Sequence, residues 1–341
     1  MIKEAIRKVA EGIDLSRSEV REVFGQMMDG EVTDAQKSAL LIGLRMKGET
    51  VEEITGAAMA MRERVVRIAT SRSGVIDTCG TGGDGRGTFN VSTIAAIVAA
   101  GAGASVAKHG NRAVSSSCGS ADVLSALGVN VDLEPAQTAE ILDSTGLAFL
   151  FAPKFHPAMK AVAGVRRELG LRTIFNVLGP LTNPAFARRQ VLGVFAPQLT
   201  SRIAGVLQEL GVDHAVVVHS DDGLDEISVF ARSHVAEVRD GVVTQYEIDP
   251  AELGVEAGEP PELTGGDPAT NARICREILE GRRGAAREMV VVNTGAALYV
   301  SGLVPTIRDG TALARESIDT GRAGAKLQEL ISATRHFGRR T

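Results

Sequence analysis

The stretch Cys79-Gly-Thr-Gly-Gly-Asp-Gly-Arg-Gly-Thr-Phe-Asn-Val-Ser-Thr93 is dense in glycine and hydroxyl side chains. Glycines let a backbone turn through positive φ and bring N–H groups close to an anion, and the N-terminus of a following helix adds partial positive charge. Phosphate is the natural ligand of such a loop. Gly80, Gly82 and Gly85 also match the spacing of a dinucleotide fingerprint. That fingerprint starts its helix at the loop and places an acidic residue about 20 positions on. Here helix signals begin near Ser92 and the downstream positions offer Ser105 and Lys108, so the nicotinamide reading is the weaker one. A tight turn without a ligand is the ordinary alternative.

A second segment, Lys108-His-Gly-Asn-Arg112, precedes Ser115-Ser-Ser117 and Gly119-Ser120 at a predicted helix start. Lysine, arginine, hydroxyls and helix N–H groups are phosphate donors; taken alone, a solvated basic turn fits as well. A third segment, Asp221-Asp-Gly-Leu-Asp-Glu226, crowds carboxylates together. Such groups are costly to hold close without a cation, and oxygen donors suit Mg²⁺, which keeps several waters and bridges to substrate phosphates. Alone it would be an acidic surface turn. Arg166, in Val165-Arg-Arg-Glu-Leu-Gly170, could grip a small carboxylate in two places, although an arginine on a helix is usually just a solvated charge. Cys79 has no base beside it in the sequence and reads as a small buried thiol. The histidines include no His-Glu-x-x-His pattern, so a histidine metal site is not expected.

The elements that must position these residues fall into two blocks. The first seventy or so residues carry helix signals: Ser16 as a cap, and capping-box spacings at Thr33/Gln36 and Thr50/Glu53, with helices ending near Gly48 and near Arg67. From Val75 onward short β-branched runs alternate with Ala-rich stretches. Strands are predicted at Val75 to Thr78, Ser105 to Ala107, Val129 to Leu133, Leu147 to Phe151, Gln190 to Phe195 and Ala215 to His219. Helices are predicted at Ser92 to Ala100, Ser120 to Leu127, Pro135 to Thr145, Pro157 to Leu169 and Leu199 to Leu210. This alternation predicts an α/β fold with a mainly parallel sheet covered on both faces. Each candidate loop follows a predicted strand, at the edge where open α/β sheets bind ligands. Val235 to Arg239 and Val242 to Ile248 flank Asp240-Gly241, a hairpin signal, and helix returns at Ala286 to Val300 and in the last thirty residues. Residues 1–70 are expected to form a small all-helical domain and residues 71–341 a larger α/β domain.

Composition narrows the partners. The net charge of -5 gives no general attraction to nucleic acid or to an anionic membrane, so phosphate must be gripped locally. Three scattered cysteines do not make a disulfide framework and fit a reducing compartment. The start, MIKEAIRKVAEGI, lacks the apolar core of a signal peptide, and Ile94 to Ala107 is too short for a membrane span. A cytoplasmic location is expected.

Taken together, Gly80-Thr-Gly-Gly-Asp84, Asn90-Val-Ser-Thr93, Lys108-His-Gly-Asn-Arg112, Gly119-Ser-Ala-Asp122, the stretch from Arg166 to Pro184, and Asp225-Glu226 resemble the anthranilate phosphoribosyltransferases over essentially the whole chain. The resemblance implies a helical N-terminal domain, joined by helices from about residues 155–185, and a homodimer formed through it. It implies Mg²⁺-dependent transfer of phosphoribosyl from phosphoribosyl pyrophosphate (PRPP) to anthranilate. Carried over position by position, Gly80, Gly82, Gly83, Asp84, Thr88, Asn90, Ser92, Thr93, Lys108 and Ser120 surround PRPP. Gly80, His109, Asn111 and Arg166 meet anthranilate, while Ser92, Asp225 and Glu226 hold two Mg²⁺ ions. The chain departs from the family pattern at Ser117, where a basic residue is usual, and at Ser125, where Glu is usual. A related nucleoside phosphorylase is disfavoured by Asp225-Glu226 and by Lys-His-Gly-Asn in place of Lys-His-Ser-Thr-Gly-Gly, and a non-catalytic nucleic-acid-binding relative by the net charge and the same acidic pair.

Overall fold

The computed structural model describes residues 1–113, 117–255 and 263–338; Ser115 and Ser116, among the candidate phosphate donors, lie outside the described residues. Four helices open the chain: α1 Ile2–Ala10, α2 Arg17–Met28, α3 Asp34–Lys47 and α4 Val51–Glu63. Ser16, Thr33 and Thr50 each form a full capping box with Glu19, Gln36 and Glu53, and such a cap is worth about 1 kcal/mol. The last of these helices stops short of the expected Arg67. Arg64 turns back there, donating to Ala60 O at 3.2 Å and pairing with Asp29.

The α/β part runs β1 Ile76–Gly80, α5 Val91–Gly101, β2 Val106–Gly110, α6 Ser120–Leu127, α7 Pro135–Thr145, β3 Leu147–Phe151, α8 Ala152–Phe155, α9 Lys160–Leu169, α10 Phe175–Leu178, β4 Arg189–Gly193, α11 Leu199–Glu209, β5 His214–Ser220, β6 Ser233–Arg239, β7 Val242–Ile248, α12 Pro268–Leu279, α13 Ala285–Ser301, α14 Ile307–Asp319 and α15 Arg322–Gly338. The seven strands form one sheet in the order β3-β2-β1-β4-β5-β6-β7. The first five are mutually parallel and the last two antiparallel. Asp240 and Gly241 close the β6–β7 hairpin, both with positive φ, at 51° and 77°, as its tight turn demands.

Two expectations need correction. Val129 to Leu133 is not a strand. Val129, Val131 and Leu133 are buried in the core, but the segment is an extended link between α6 and α7, and Asn130 N–H donates to Thr334 Oγ1 on α15 at 3.2 Å instead of to a neighbouring strand. Lys108 and His109 belong to β2 itself, not to the loop after it.

Apolar residues gather into two cores, one on each side of the sheet. One joins the sheet to α5, α6, α7 and α12 to α15. The other runs from α1 to α4 through α9 and α10 to α11 and the opposite face of β4 to β6. The N-terminal helices therefore share a core with the sheet, and the segments after α9 and α10 reach the carboxyl ends of the strands, through Arg172 to Gly83 O and Gly179 O to the His109 ring.

Candidate active site

The acidic loop crosses the sheet edge at its centre, where Gly80 of β1 and Gly193 of β4 are register partners. A Cβ on Gly193 would sit 1.6 Å from Asp225 O, and one on Gly80 would sit 2.6 Å from Asp225 Oδ2. Only glycine at these two strand ends lets Asp225 come this close. Its Oδ2 accepts the Gly82 N–H at 3.0 Å, which ties the acidic loop to the glycine-rich one. Gly82 and Gly83 have φ of 64° and 78°, a region costly for any side chain. The acidic residues divide by role. Asp221 pairs with His234 at 2.7 Å and Asp222 accepts from Ser228 Oγ at 2.5 Å, while Asp225 and Glu226 face the glycine-rich loop and Lys108.

Lys108 is buried beneath them, donating to Thr78 O and, at 3.3 Å, to Ser92 Oγ. Burial pulls its ammonium below the usual range, opposed by Asp77. Burial, then Asp84, pushes the Asp225 carboxyl up to about 7; burial, then Asp225, holds Glu226 well above the carboxylate range. Asp84 Oδ2 is buried with no hydrogen-bond partner. Asp84, Asp225 and Glu226 thus lie close enough to repel one another, with Lys108 acting on Glu226 alone of the three, and such crowded carboxylates suit a hard divalent cation. Among the described residues no group of three or more His, Cys, Asp or Glu side chains forms a cation cage by itself. Mg²⁺ does not need one, since it takes one or two carboxylates and completes its shell with water and phosphate.

On the other side of Lys108, His109 donates its backbone N–H to Asp77 Oδ1 at 3.1 Å. The same carboxylate accepts from Asn183 Nδ2 at 2.7 Å, and that amide also reaches Ala107 O at 2.8 Å. Asp77 and Asn183 are thereby a buried clamp joining β1, β2 and the segment after α10. The His109 ring lies with Nδ1 3.1 Å from Gly179 O and Nε2 3.2 Å from Nε2 of His156. A carbonyl only accepts, so Nδ1–H of His109 donates to it, leaving its Nε2 to accept the proton of His156.

Both rings are neutral. Burial, then the neighbouring His156, lowers His109 to about 3, and burial lowers His156 to about 4. A folded pKa below the unfolded value near 6.5 means stability that is complete above about pH 6.5 and lost as pH falls through the folded values, at roughly 1.4 kcal/mol per pH unit per ring. His156→Asn is expected to flatten the fall in melting temperature between pH 6.5 and 4.5 by close to one proton's share. Parallel curves for variant and parent would show that the pair does not titrate on unfolding.

The remaining predicted residues line the same edge. Thr88 bridges to Thr264. Asn90 is the residue before α5, and Ser92 and Thr93 lie in its first turn. Ser120 opens α6 and donates to Asn111 O at 3.3 Å. Asn111 is exposed after β2. Ser117, one departure from the family pattern, donates to Gly266 O at 3.0 Å, and Ser125, the other, caps back on Ala121 O at 2.7 Å. On α9, Arg166 is half-buried. Its guanidinium lies 5.4 Å from the Phe175 ring centroid, and it has no hydrogen-bond or ion-pair partner among the described residues. Burial lowers its pKa. Sequence reasoning missed Arg172, which donates to Gly83 O, stacks 4.4 Å over Phe195, and accepts from Arg45 through its carbonyl. It also missed Asp77, Asn183 and His156, whose roles depend on partners distant in sequence.

A glycine-rich loop tied to an acidic pair, a buried lysine beneath them, and a guanidinium on α9 with no anion among the described residues fit an enzyme that transfers a group from a phosphorylated donor to a small anionic acceptor. Family models agree: residues 3–65 match the helical bundle domain of a glycosyl transferase family, and residues 72–324 its a/b domain. The chain is 57% identical to an anthranilate phosphoribosyltransferase of Anaeromyxobacter dehalogenans over 98% of its own length and 99% of that protein's. It is similar to the crystal structure of the Thermus thermophilus enzyme of the same name, at 42% identity and a TM-score of 0.91 over 97% of this chain and 99% of that one. A Saccharomyces cerevisiae counterpart in complex with PRPP and Mg aligns at 27% identity and a TM-score of 0.89, covering 98% of each chain. The chain belongs to the anthranilate phosphoribosyltransferases.

Proposed function

We propose that this chain transfers the 5-phosphoribosyl group of PRPP to the amine of anthranilate, releasing pyrophosphate, a step of tryptophan biosynthesis. The observation that carries this reading is the half-buried Arg166 guanidinium, without an anion among the described residues, on the helix after which Arg172 reaches the glycine-rich loop, together with Lys108 and the Asp225–Glu226 pair. PRPP lies along Gly80, Gly82, Gly83, Asp84, Thr88, Asn90, Ser92, Thr93, Lys108 and Ser120, and anthranilate between Gly80, His109, Asn111 and Arg166. Ser92, Asp225 and Glu226 hold Mg²⁺, as two ions. When bound, Mg²⁺ neutralises charge on the departing pyrophosphate oxygens.

The protein's own residues do the rest by placement. Arg166 orients the anthranilate carboxylate so that the amine points across the cleft. The glycine-rich backbone and the start of α5 hold the ribose phosphate still. An aromatic amine is uncharged at neutral pH and needs no strong base to attack the ribose C1, so alignment of the two substrates dominates. The His109 ring, its pKa lowered to about 3 and both its nitrogens engaged by Gly179 O and His156, is too weak and too occupied a base to take the amine proton, which leaves it a positioning role. Loss of anthranilate fluorescence in the presence of PRPP and Mg²⁺ is the expected signal, absent with excess chelator and restored by Mg²⁺. Consumption of a nucleoside and phosphate instead would favour the phosphorylase reading, and full activity in chelator would remove the metal assignment.

Residues 1–70 with the helices at about 155–185 form the helical domain of this reading, and the remainder the α/β domain. The chain acts as a homodimer through the helical domain. Much of the apolar surface of α1 to α4 packs against α9 to α11, but Ile13 and Met46 stay 46% and 82% exposed on this block. Sedimentation at micromolar concentration is expected to give a dimer that Met46→Glu weakens; a monomer throughout would refute it. A cytoplasmic location is supported by three cysteines that form no disulfide, and among the described residues no helix is long and apolar enough to cross a membrane.

A further inference from the structure

The glycine-rich loop is held on its outer side by a segment far along the chain. Phe89 N–H donates to Leu263 O at 3.1 Å and Gly265 N–H to Gly87 O at 2.9 Å, with Thr88 and Thr264 paired as an antiparallel bridge. A Cβ on Gly265 would lie 2.8 Å from both Phe89 N and Thr88 O, so the approach depends on glycine. Asp267 then caps α12, accepting from Thr270 N at 2.8 Å. One turn in, Asn271 is 2% exposed. Its Oδ1 accepts the Gly266 N–H at 2.8 Å and its Nδ2 donates to Asn90 Oδ1 at 2.9 Å. Asn90 in turn donates through Nδ2 to Cys118 O at 3.1 Å.

This arrangement withholds Asn90 from its ordinary job. An asparagine at the N-cap turns its carbonyl onto the N–H groups of the helix it precedes, yet Asn90 makes no such bond to α5. Asn271 holds the carbonyl sideways. Among the described residues the second Nδ2 hydrogen and the second Oδ1 lone pair of Asn90 stay available, and the side chain does not fold over the start of α5, where an anion is best received.

We infer that Asn271 is a positioning residue for phosphoribosyl binding, acting through Asn90 and bracing the glycine-rich loop together with residues 263–266. The inference rests on the assignment of Asn90 to PRPP and adds a residue 181 positions away that does not itself touch substrate.

A double-mutant cycle on the full-length protein, with each substrate varied in turn, tests it. Asn271→Ala is expected to raise the KM for PRPP about tenfold, with that for anthranilate within about twofold, and Asn90→Ala to do at least as much. The double variant is then no worse than the weaker-binding single, because residues acting as a unit are not additive. Asn271→Asp covers the case in which the alanine variant fails to fold. It keeps the volume and the acceptor for Gly266 N–H but turns the donor to Asn90 into a buried carboxylate oxygen, so it is expected to raise the PRPP constant selectively, at a melting temperature lowered by the buried charge yet still well above the assay temperature. Gly265→Ala, which forces the brace off Phe89, is expected to act in the same direction. Additive effects of the two alanines, or equal weakening of both substrates by Asn271→Asp, would overturn the inference while leaving Asn90 in place. An unchanged PRPP constant in Asn90→Ala would overturn the assignment of Asn90 and the inference with it.

Discussion

Asp225→Asn combined with Glu226→Gln is expected to abolish turnover without unfolding the protein. The two carboxylates carry raised pKa values because burial opposes their charge, followed by Asp84 at Asp225 and by Asp225 at Glu226, so in the absence of a cation they strain the fold. The amide pair is isosteric, and the carboxamide oxygen at position 225 can still accept the Gly82 N–H now given to Asp225 Oδ2. The melting temperature without ligands should therefore be unchanged or higher. What is lost is the cation. Lewis-acid stabilisation of a leaving group is worth several kcal/mol, on the order of a thousandfold or more in rate. A second readout does not depend on activity. A ligand that binds only the folded state at 100 times its Kd stabilises by about 2.7 kcal/mol, so Mg²⁺ with PRPP should raise the melting temperature of the parent and much less that of the double variant. Asp221→Asn is the control, since that residue pairs with His234 instead of facing the cleft. Turnover within tenfold of the parent in the double variant would show that the metal is held elsewhere.

Arg166→Ala is expected to raise the KM for anthranilate roughly 30-fold or more and to leave that for PRPP nearly unchanged. Truncating one member of a partly desolvated, charge-assisted pair typically costs about 2 to 5 kcal/mol, and about 1.4 kcal/mol is a factor of ten. The structure sharpens this expectation. Arg166 is half-buried against Phe175 with no anion of its own among the described residues, and burial alone lowers its pKa. A cation so placed is partly desolvated before a carboxylate arrives. Removing it breaks no ion pair, so stability should hold or rise slightly. Arg167 is exposed on the same helix, and Arg167→Ala should change neither constant. Equal loss of both substrates in Arg166→Ala would assign it to holding the two sides of the cleft; no loss would return it to a solvated charge.

The parts of this protein that were legible in the sequence are those governed by near neighbours. Capping boxes at Thr33 and Thr50, the Asp240–Gly241 turn and the bounds of α6, α7 and β3 follow from side chains within four positions or from the period of apolar residues. The placing of the candidate loops at one edge was legible too, because alternating strands and helices force a parallel sheet whose carboxyl ends face one way. The false strand at Val129 to Leu133 marks the limit of that reasoning: alternating burial looks the same whether the backbone pairs with a strand or, as here, with a helix side chain.

What only the tertiary structure decided is which groups meet across that edge. The sheet order sets β1 between β2 and β4, and this brings Asp77 to Asn183 across 106 positions, Gly82 to Asp225 across 143, and Asn90 to Asn271 across 181. Hydrogen bonds and charge interactions act over a few ångströms of space, not along the chain. The same proximity decides that Asp221 and Asp222 serve the scaffold while Asp225 and Glu226 face the cleft, a division that their shared residue types cannot express. It decides as well that Arg166 is left without an anion among the described residues, because the turn of α9 that carries it packs against Phe175.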